Sequence, residues 1–541
     1  MRAAEHALRF LSRAGVRYLF GIPGGTLNPL YDALLDVPEL RHIMARHEAA
    51  AAYMAGAYAR YSGQPGVVLG ASGPGASNVL TGCASAMRER TPLLVLTGHV
   101  RTDRVGLEAG QESSAWSLDM VEAFKPFTKK SVLVTHPGEL TRALRLALRL
   151  ALATPQGPVH LALPLDVQLG EVGALPVPEL GDVPTLSGLG STQLAGLVDF
   201  LSGGEGVIFA GSGVKKSRAT EAFGELVRRV GWPVVTSASG KGVYPEDDAL
   251  GLGVFGLAGS IAARLAVRHA RRLLVLGSSL GESATGNWAP ELTANKHVVH
   301  LDSDPSVIGR HYTPHLALVA DLPEVLKQLL AALPPRTAEP PPVERLEEPG
   351  HGLVVEHLER LARALPPEAR LCCDIGEHMT WALRHWRTPR AGGFDITVNY
   401  GGMGSGIANA LGASLADGRP TVCLTGDGCF AMHGAEVMTA LQYRLPVVFV
   451  VLNNGGYGMV RWGHQLLFGR AHEDFDYPTP DIAGMARAMG CPAWRVESPE
   501  DWAEVVRANP FGGTGPAVIE VRVPRGEEPP MKDRVRTMRG E

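Results

Sequence analysis

Residues 421–454, TVCLTGDGCFAMHGAEVMTALQYRLPVVFVVLNN, decide the fold class of this chain. The stretch begins and ends with short runs rich in β-branched residues, and a helical pattern lies between them. Two strands joined by a helix form a right-handed crossover in a parallel sheet, which brings the carboxyl ends of both strands to one edge. The stretch therefore predicts an α/β fold with a ligand site at that edge.

Polar residues follow each of these two strands directly. Gly426, Asp427 and Gly428 follow the first strand, and Asn454 follows the second, 27 residues after Asp427. A carboxylate, an amide oxygen and a turn carbonyl such as that of Gly456 suit a hard divalent cation, and a diphosphate with water completes its octahedron. The pair predicts a magnesium and diphosphate site, although GDG or NN alone is also typical of an ordinary turn.

The same alternation of short apolar runs and helical patterns extends over the whole chain of 541 residues. Stretches rich in Pro, Gly and Glu interrupt it at residues 168–190 and 333–350, and they are typical of linkers. We predict three domains, at residues 1–170, 188–333 and 350–541, each with a parallel sheet flanked by helices.

The composition excludes several classes of function. A net charge of −4, from 51 basic and 55 acidic residues, argues against nucleic acid as a partner. The sequence has no apolar run of the roughly 18 residues that a membrane span needs, and no cleavage site follows its amphipathic start. The six cysteines have no CxxC spacing, which indicates buried thiols in a reducing compartment. We expect a cytoplasmic protein.

Several further segments resemble one enzyme family. GIPGGTLNPLYDAL (21–34), RHEAAAAYMAGAYAR (46–60), GVVLGASGPGASNVLTG (66–82), GWPVVTSASGKGVYPEDD (231–248) and YGGMGSGIANALGAS (400–414) are similar to the catalytic subunit of acetolactate (acetohydroxyacid) synthase. That family belongs to the thiamine-diphosphate-dependent 2-oxoacid decarboxylases and carboligases. The resemblance implies a pyrimidine-binding, a central nucleotide-type and a diphosphate-binding domain, in that order. It also implies decarboxylation of a 2-oxo acid such as pyruvate, followed by carboligation to an acceptor carbonyl.

The resemblance also implies roles for individual residues. Glu48 matches the glutamate that hydrogen-bonds the aminopyrimidine ring and activates the cofactor. Met403 matches the apolar residue beneath the bent cofactor, and Met459 matches a second methionine of the cofactor site. Gly25 lies in a loop where a backbone N–H meets a developing oxyanion, and Gln111 lines the same cavity. Glu48 lies where the strand-like HIMA (42–45) gives way to a helix, and without the resemblance a surface glutamate at a helix N-terminus is the preferred interpretation. From the residues alone, Met403 is as readily a core methionine that fills a gap.

The resemblance implies a homodimer or homotetramer, because the pyrimidine and diphosphate residues of this superfamily belong to different subunits. It leaves open a regulatory small subunit. It also leaves open whether FAD is bound. The turn Gly211-Ser212-Gly213 after a strand, with Asp302 at another strand end, suits a nucleotide, but a lone GSG is a weak signal.

The chain departs from the family pattern around the acceptor. Ser279 and Ser283 stand where the family has two arginines, one of which holds the acceptor carboxylate. Trp462 follows Met459 by three residues instead of four. A hydroxyl cannot reproduce the bidentate grip of a guanidinium, so we predict an altered acceptor pocket.

Alternatives to carboligation remain at this point. Relatives that release an aldehyde resemble one another in histidines near the reacting carbon, whereas this chain has Ser72 and no adjacent pair of histidines. Arg461 or His464 is a candidate for anion binding, against a solvated surface role for each. A different class, a flavin or nicotinamide oxidoreductase or a non-catalytic scaffold, would leave Glu48 and Asp427 without a joint purpose.

Overall fold

The structure is a computed structural model that describes residues 1–173, 175–336, 352–532 and 535. Eighteen parallel strands in this part of the chain form three six-stranded sheets, each flanked by helices. The predicted α/β fold class is therefore confirmed. The predicted linker at 333–350 lies almost wholly outside the described residues, and the predicted domain bounds stay a prediction.

The first sheet lies within residues 18–164, and its strands are β1 (Tyr18–Gly21), β2 (Arg41–Met44), β3 (Gly66–Gly70), β4 (Leu93–His99), β5 (Lys130–Leu133) and β6 (Pro158–Pro164). The helices around it are α1 (Ala3–Arg13), α2 (Asn28–Ala33), α3 (Glu48–Ser62), α4 (Pro74–Arg88), α5 (Met120–Phe124), α6 (Leu140–Leu152) and α7 (Leu165–Leu169). The strand order is β2-β1-β3-β4-β6-β5. β3, β4 and β6 are buried along their whole length, as strands covered on both faces must be.

The second sheet contains β7 (Val207–Ala210), β8 (Val234–Thr236), β9 (Gly251–Val254), β10 (Arg272–Leu276), β11 (His297–Asp302) and β12 (Leu316–Val319). Its helices are α8 (Ser191–Ser202), α9 (Gly213–Lys216), α10 (Thr220–Val230), α11 (Ile261–His269), α12 (Glu282–Thr285) and α13 (Leu322–Ala332). The order β12-β11-β10-β7-β8-β9 is that of a doubly wound nucleotide-binding sheet, and the order reverses between β7 and β10.

The third sheet contains β13 (Arg370–Cys373), β14 (Phe394–Asp395), β15 (Thr421–Gly426), β16 (Val447–Asn453), β17 (Ala493–Val496) and β18 (Ala517–Arg522). Its helices are α14 (Leu353–Ala364), α15 (Glu377–His385), α16 (Ser405–Asp417), α17 (Asp427–His433), α18 (Val437–Tyr443), α19 (Gly458–Phe468), α20 (Ile482–Ala488) and α21 (Trp502–Ala508). The order β14-β13-β15-β16-β18-β17 repeats that of the first sheet strand for strand.

The first and third domains share one apolar core, in which α3 packs along α16. Small residues permit the close approach: a Cβ on Gly412 would lie 2.1 Å from the carbonyl oxygen of Met54. The two residues before α3 are bound to the third domain. The amides of Arg46 and His47 both donate to Glu436 Oε1, at 2.8 and 3.1 Å. The third domain therefore determines where α3 begins.

The remaining sequence expectations concern membranes and thiols. Among the described residues, no helix combines the length and the apolar character that crossing a membrane requires. All six cysteines are buried and unpaired, as their spacing predicts.

Candidate active site

A cavity of about 430 Å³ opens at the carboxyl edge of the third sheet. Its floor is formed where β15 and β16, paired from Thr421 to Gly426, come to their ends. The residues of the C-terminal domain that the resemblance and the motifs assign to the cofactor and the cation all line this cavity: Met403, Gly426, Asp427, Gly428, Asn454, Gly456 and Met459.

Two oxygen atoms in this cavity lack hydrogen-bond partners among the described residues. Asp427 begins α17, is 3% exposed, and has no donor to its Oδ2. Asn454 donates from Nδ2 to Glu377 Oε2 at 3.1 Å, which leaves its buried Oδ1 without a partner. An unsatisfied buried acceptor costs about 1–3 kcal/mol, so two of them at adjacent strand ends fit a cation.

The backbone after β16 adds a third oxygen. Arg525 donates from Nε to the carbonyl of Asn454 at 2.7 Å and from a terminal nitrogen to that of Gly455 at 3.0 Å. The carbonyl of Gly456 receives no such donor from the described residues. A Cβ on Gly456 would lie 2.8 Å from the backbone carbonyl oxygen of Phe475, so a larger residue there would require the backbone to shift. The described chain holds no cluster of three His, Cys, Asp or Glu for a metal, and a mixed oxygen set is what remains.

The two asparagines of the NN motif differ in role. Asn453 is the last residue of β16, is buried, and donates from Nδ2 to Glu520 Oε1 at 2.7 Å and to the carbonyl of Pro480 at 2.9 Å. Only Asn454 borders the cavity. The first asparagine therefore holds the sheet together, and the second faces the ligand space.

Sequence reasoning missed three polar residues that follow β13. Asp374 accepts hydrogen bonds from the Ile375 amide at 2.8 Å and from Thr425 Oγ1 at 2.9 Å, and burial raises its pKa to about 6. Glu377 and His378 line the cavity. Burial raises the pKa of Glu377 to about 7 and lowers that of His378 to about 4. The sequence did contain a pattern that indicates these residues, because DIGEH (374–378) follows the strand RLCC (370–373) in the same way that GDG (426–428) follows TVCLT (421–425).

Helix α19 covers one side of the cavity. Met459, Val460 and His464 lie in its lining, whereas Trp462 does not. Arg461 lies 3.6 Å from Asp476, measured from Nε to Oδ1, and also donates to the carbonyl of Arg525. The Arg461 guanidinium is thus held by groups of its own domain.

Glu48 lies at the carboxyl edge of the first sheet. It begins α3, is 9% exposed, and accepts from Asn78 Nδ2 at 3.0 Å. A Cβ on Gly75 would lie 3.3 Å from Glu48 Oε1, so the backbone of α4 approaches the carboxylate closely. The sequence predicted the strand-to-helix position of Glu48 but not the contact with Asn78.

Gly25 and Gln111 lie on loops at the same edge. Gly25 is exposed and begins a 3₁₀ turn shortly after β1, and a Cβ there would meet no atom within 4 Å. The neighbouring Thr26 accepts from the Ser72 amide through Oγ1 at 3.1 Å. Gln111 has a φ of +62° and is exposed. A Cβ added to Gly73 would lie 3.2 Å from the Cβ of Gln111.

The predicted site residues thus form two groups. One group lies at the edge of the first sheet, and the cavity at the edge of the third sheet is lined by residues from 354 to 523 only. The structure does not bring Glu48, Gly25 or Gln111 into that cavity.

The turn Gly211-Ser212-Gly213, which the sequence suggested for a nucleotide, packs against the backbone of Gly277. The amide of Gly213 donates to the carbonyl of Gly277 at 2.9 Å, and a Cβ on Gly211 would lie 2.2 Å from the same oxygen. The Gly213 amide, at the start of α9 where a dinucleotide's diphosphate would bind, is therefore already hydrogen-bonded to backbone. Asp302 is buried and accepts from the Asp304 amide at 2.9 Å. The Gly213 amide and one carboxylate oxygen of Asp302 thus both have partners within the second domain.

Three family models match the chain. They are the N-terminal TPP binding domain of thiamine pyrophosphate enzymes at residues 1–122, the central domain at 200–329 and the C-terminal TPP binding domain at 374–521. The chain belongs to the thiamine pyrophosphate enzymes. The predicted cofactor, thiamine diphosphate, is therefore confirmed for this enzyme.

The most similar named proteins indicate which type of thiamine pyrophosphate enzyme this chain is. The probable acetolactate synthase large subunit of Methanocaldococcus jannaschii is 32% identical, over 98% of this chain and 93% of its own. The large subunit of acetolactate synthase isozyme 3 of Escherichia coli is also 32% identical, over 93% and 91%. An X-ray structure of a putative thiamin diphosphate-dependent enzyme from Mycobacterium smegmatis has the same fold, with a TM-score of 0.84 and 24% identity over 97% of this chain and 100% of its own.

The enzyme is of the acetolactate synthase type, and its reaction type is thiamine-diphosphate-dependent decarboxylation and carboligation. The predictions of family, enzyme class and reaction type are confirmed. The simple decarboxylase, the oxidoreductase and the non-catalytic scaffold are not favoured by these matches.

Proposed function

We propose that this enzyme decarboxylates pyruvate and joins the two-carbon unit to an acceptor carbonyl, with thiamine diphosphate held through Mg²⁺ at Asp427, Asn454 and Gly456. The observation that carries the proposal is the pair of oxygens Asp427 Oδ2 and Asn454 Oδ1, together with the carbonyl of Gly456, none of which has a hydrogen-bond partner in the described part of the chain. When bound, thiamine diphosphate supplies the electron sink that a 2-oxo acid needs to lose CO₂.

The chain's own residues bind and orient in this proposal. Asp427 and Asn454 offset the diphosphate charge through the cation, and Met403 and Met459 give the cavity its apolar wall. Glu48 holds a proton at a ring nitrogen of the aminopyrimidine, and Asn78 fixes the carboxylate that does so.

Gly25 and Gln111 complete the first-sheet group. In this proposal the exposed Gly25 amide donates to a developing oxyanion, and the exposed Gln111 side chain lines the space for the substrate. The proposal leaves out a flavin, because the Gly213 amide is already bonded to Gly277.

We propose a homodimer as the smallest active unit, because Glu48 lies outside the cavity that contains Asp427. Large apolar side chains near both groups support a shared interface: Trp116 is 82% exposed beside the Gln111 loop, and Phe468 is 65% exposed on α19. Pairing the first domain of one copy with the third domain of another would cover these side chains and enclose the cofactor. A homotetramer preserves the same pair.

The names of the relatives extend the proposal to a partner. Both curated relatives are named large subunits, which supports a regulatory small subunit for this chain. A cytoplasmic location is in keeping with six buried, unpaired thiols.

The two asparagines after β16 provide a matched pair of variants. We expect Asn453→Ala to lower the free energy of unfolding by about 1–3 kcal/mol, because the buried Glu520 carboxylate loses a donor. Mg²⁺ affinity should stay unchanged in that variant. Asn454→Ala should instead weaken Mg²⁺ binding in the presence of thiamine diphosphate. Chemical denaturation and calorimetric Mg²⁺ titration give the two readouts, and a reversed pattern contradicts the assignment.

The acceptor pocket sets a further expectation. Ser279 and Ser283 cannot form the charged hydrogen bonds of the missing arginines, each of which is worth about 1.5–3 kcal/mol. We therefore expect a low ratio of acetolactate formed to pyruvate consumed, and efficient transfer to an added neutral aldehyde, whose capture needs no cation. Mass spectrometry of the products with ¹³C-labelled pyruvate measures both.

Release of CO₂ from pyruvate and from other 2-oxo acids, measured together with the products, tests the proposed function. Absence of CO₂ release from pyruvate, with release from another 2-oxo acid, would replace the donor and keep the site. Stoichiometric acetolactate at low pyruvate would overturn the altered acceptor and leave an ordinary acetolactate synthase.

A further inference from the structure

A second polar cavity, of about 240 Å³, lies where all three domains meet. The end of α3 contributes Arg60 and Tyr61, helix α9 contributes Lys215 and Lys216, and the third domain contributes the buried Arg370. Its lining shares no residue with the cavity at Asp427 and includes none of Glu48, Gly25 and Gln111.

Cations outnumber carboxylates in the lining. The carboxylates are each matched by one cation: Asp395 lies 2.9 Å from Arg60, Glu89 lies 3.3 Å from Lys216, and Asp417 lies 2.5 Å from Arg370. The cations that line the cavity are Arg60, Lys215, Lys216, Arg218, Arg370 and Arg419, and the carboxylates are Glu89, Asp395 and Asp417. Three positive charges therefore have no counterpart in the lining.

Among the described residues, the side chains of the three unmatched cations donate hydrogen bonds to backbone carbonyls alone. Lys215 Nζ lies 3.2 Å from the carbonyls of Lys241 and Phe394. Arg218 donates to the carbonyl of Tyr61 at 2.6 Å. Arg419 donates from Nε and from a terminal nitrogen to the carbonyl of Glu368. Within the described ranges, none of the three forms an ion pair with a carboxylate.

The matched arginines also have unused donors. Arg60 Nε and Arg370 Nε are buried and have no acceptor in the described part of the chain. Burial lowers the pKa of Lys215 to about 8, which shows that its surroundings disfavour the charged ammonium. Of the three unmatched cations, Lys215 and Arg419 are half-buried and Arg218 is exposed. Burying a charged group whose N–H donors lack acceptors, as at Arg60 and Arg370, is costly, and a bound anion offsets that cost.

We propose that this three-domain cavity binds a small multivalent oxyanion of the phosphate class. Guanidinium and ammonium groups are the donors that recognise phosphate oxygens, and the hydroxyls of Ser212, Ser239 and Thr397 stand in the same lining. The volume lies below the roughly 300–1,000 Å³ of drug-sized ligand pockets, so phosphate or diphosphate fits and a dinucleotide does not.

Occupancy of this cavity joins all three domains. An anion contacting Arg60, Lys215 and Arg419 binds only when the three domains are in place, so it stabilises the native arrangement over the unfolded chain. Phosphate should therefore raise the thermal midpoint in a saturable way, beyond the effect of chloride at equal ionic strength.

Inorganic phosphate is the probe for this site, titrated calorimetrically into the enzyme saturated with thiamine diphosphate and Mg²⁺, so that the cofactor cavity is blocked. Lys215→Gln and Arg419→Gln each remove one unmatched charge, and Lys327→Gln, on an exposed residue of α13, is the control. We expect one phosphate per chain in the wild type and in the control, and about tenfold weaker binding or more in the two cavity variants.

Thermal unfolding midpoints of the wild type, the two cavity variants and the control show whether a variant has lost the phosphate site or has failed to fold. Both cavity variants should keep a cooperative transition and their turnover while losing the midpoint shift in phosphate. Equal phosphate affinity in all four proteins, or no saturable binding by the wild type, would overturn the proposal.

Discussion

The Glu48→Gln variant should bind thiamine diphosphate with unchanged affinity and lose about 10²–10⁴-fold in kcat. A carboxyl group can hold and return a proton at a ring nitrogen, and a carboxamide cannot. The replacement preserves the size of the side chain and leaves an oxygen to accept from Asn78, as Glu48 Oε2 does at 3.0 Å. The fold and the start of α3 should therefore stay as they are.

Exchange of the cofactor's C2 proton, followed by NMR in deuterated buffer, measures the step that Glu48 is proposed to serve. Glu122→Gln is the control, since Glu122 is an exposed carboxylate of the same domain. Calorimetry shows whether the cofactor still binds. Exchange at the wild-type rate in Glu48→Gln would remove Glu48 from the chemistry, whatever its effect on turnover.

The juxtaposition of Asp427 and Asn454 at the edge of the third sheet could be predicted, because each residue directly follows a parallel strand. Asp427 and Asn454 follow β15 and β16, and a parallel crossover brings such residues together without knowledge of the rest of the fold. Helix α17 was not predicted as a separate helix, because nothing in GDGCFAMH marks a helix that begins at Asp427 itself.

Details that depend on tertiary contacts were out of reach of the sequence. Asn453 and Asn454 look alike in the sequence, and only the position of Glu520 on β18 distinguishes the sheet-bonded residue from the cavity residue. Gly25 and Gln111 were assigned by resemblance alone, since loops carry no periodic pattern. The cavity at Arg60 and Lys215 needs three domains to exist, so no local motif could indicate it.

The Asp427→Ala variant should lose Mg²⁺-dependent binding of thiamine diphosphate by about a hundredfold or more, because the proposed oxygen set has a single carboxylate. The proposed remaining ligands, Asn454 Oδ1 and the Gly456 carbonyl, are neutral and cannot offset the charge of a cation and a diphosphate. Calorimetric titration with Mg²⁺ and with EDTA measures the loss, and Asp474→Ala, on an exposed residue of the same domain, is the control. Affinity within a few-fold of the wild type would remove Asp427 from the cation site.

Mixing the two inactive variants tests the arrangement of the copies. If each site takes Glu48 from one copy and Asp427 from the other, a dimer of Glu48→Gln with Asp427→Ala carries both changes in one site and leaves the second site intact. Random re-pairing of equal amounts then restores about one quarter of the wild-type sites, because half of the dimers are mixed and half of their sites are complete. If both residues of a site came from one chain, every site would retain one defect and the mixture would stay inactive. Recovery after mixing thus supports the site between copies even where each variant alone shows only a loss.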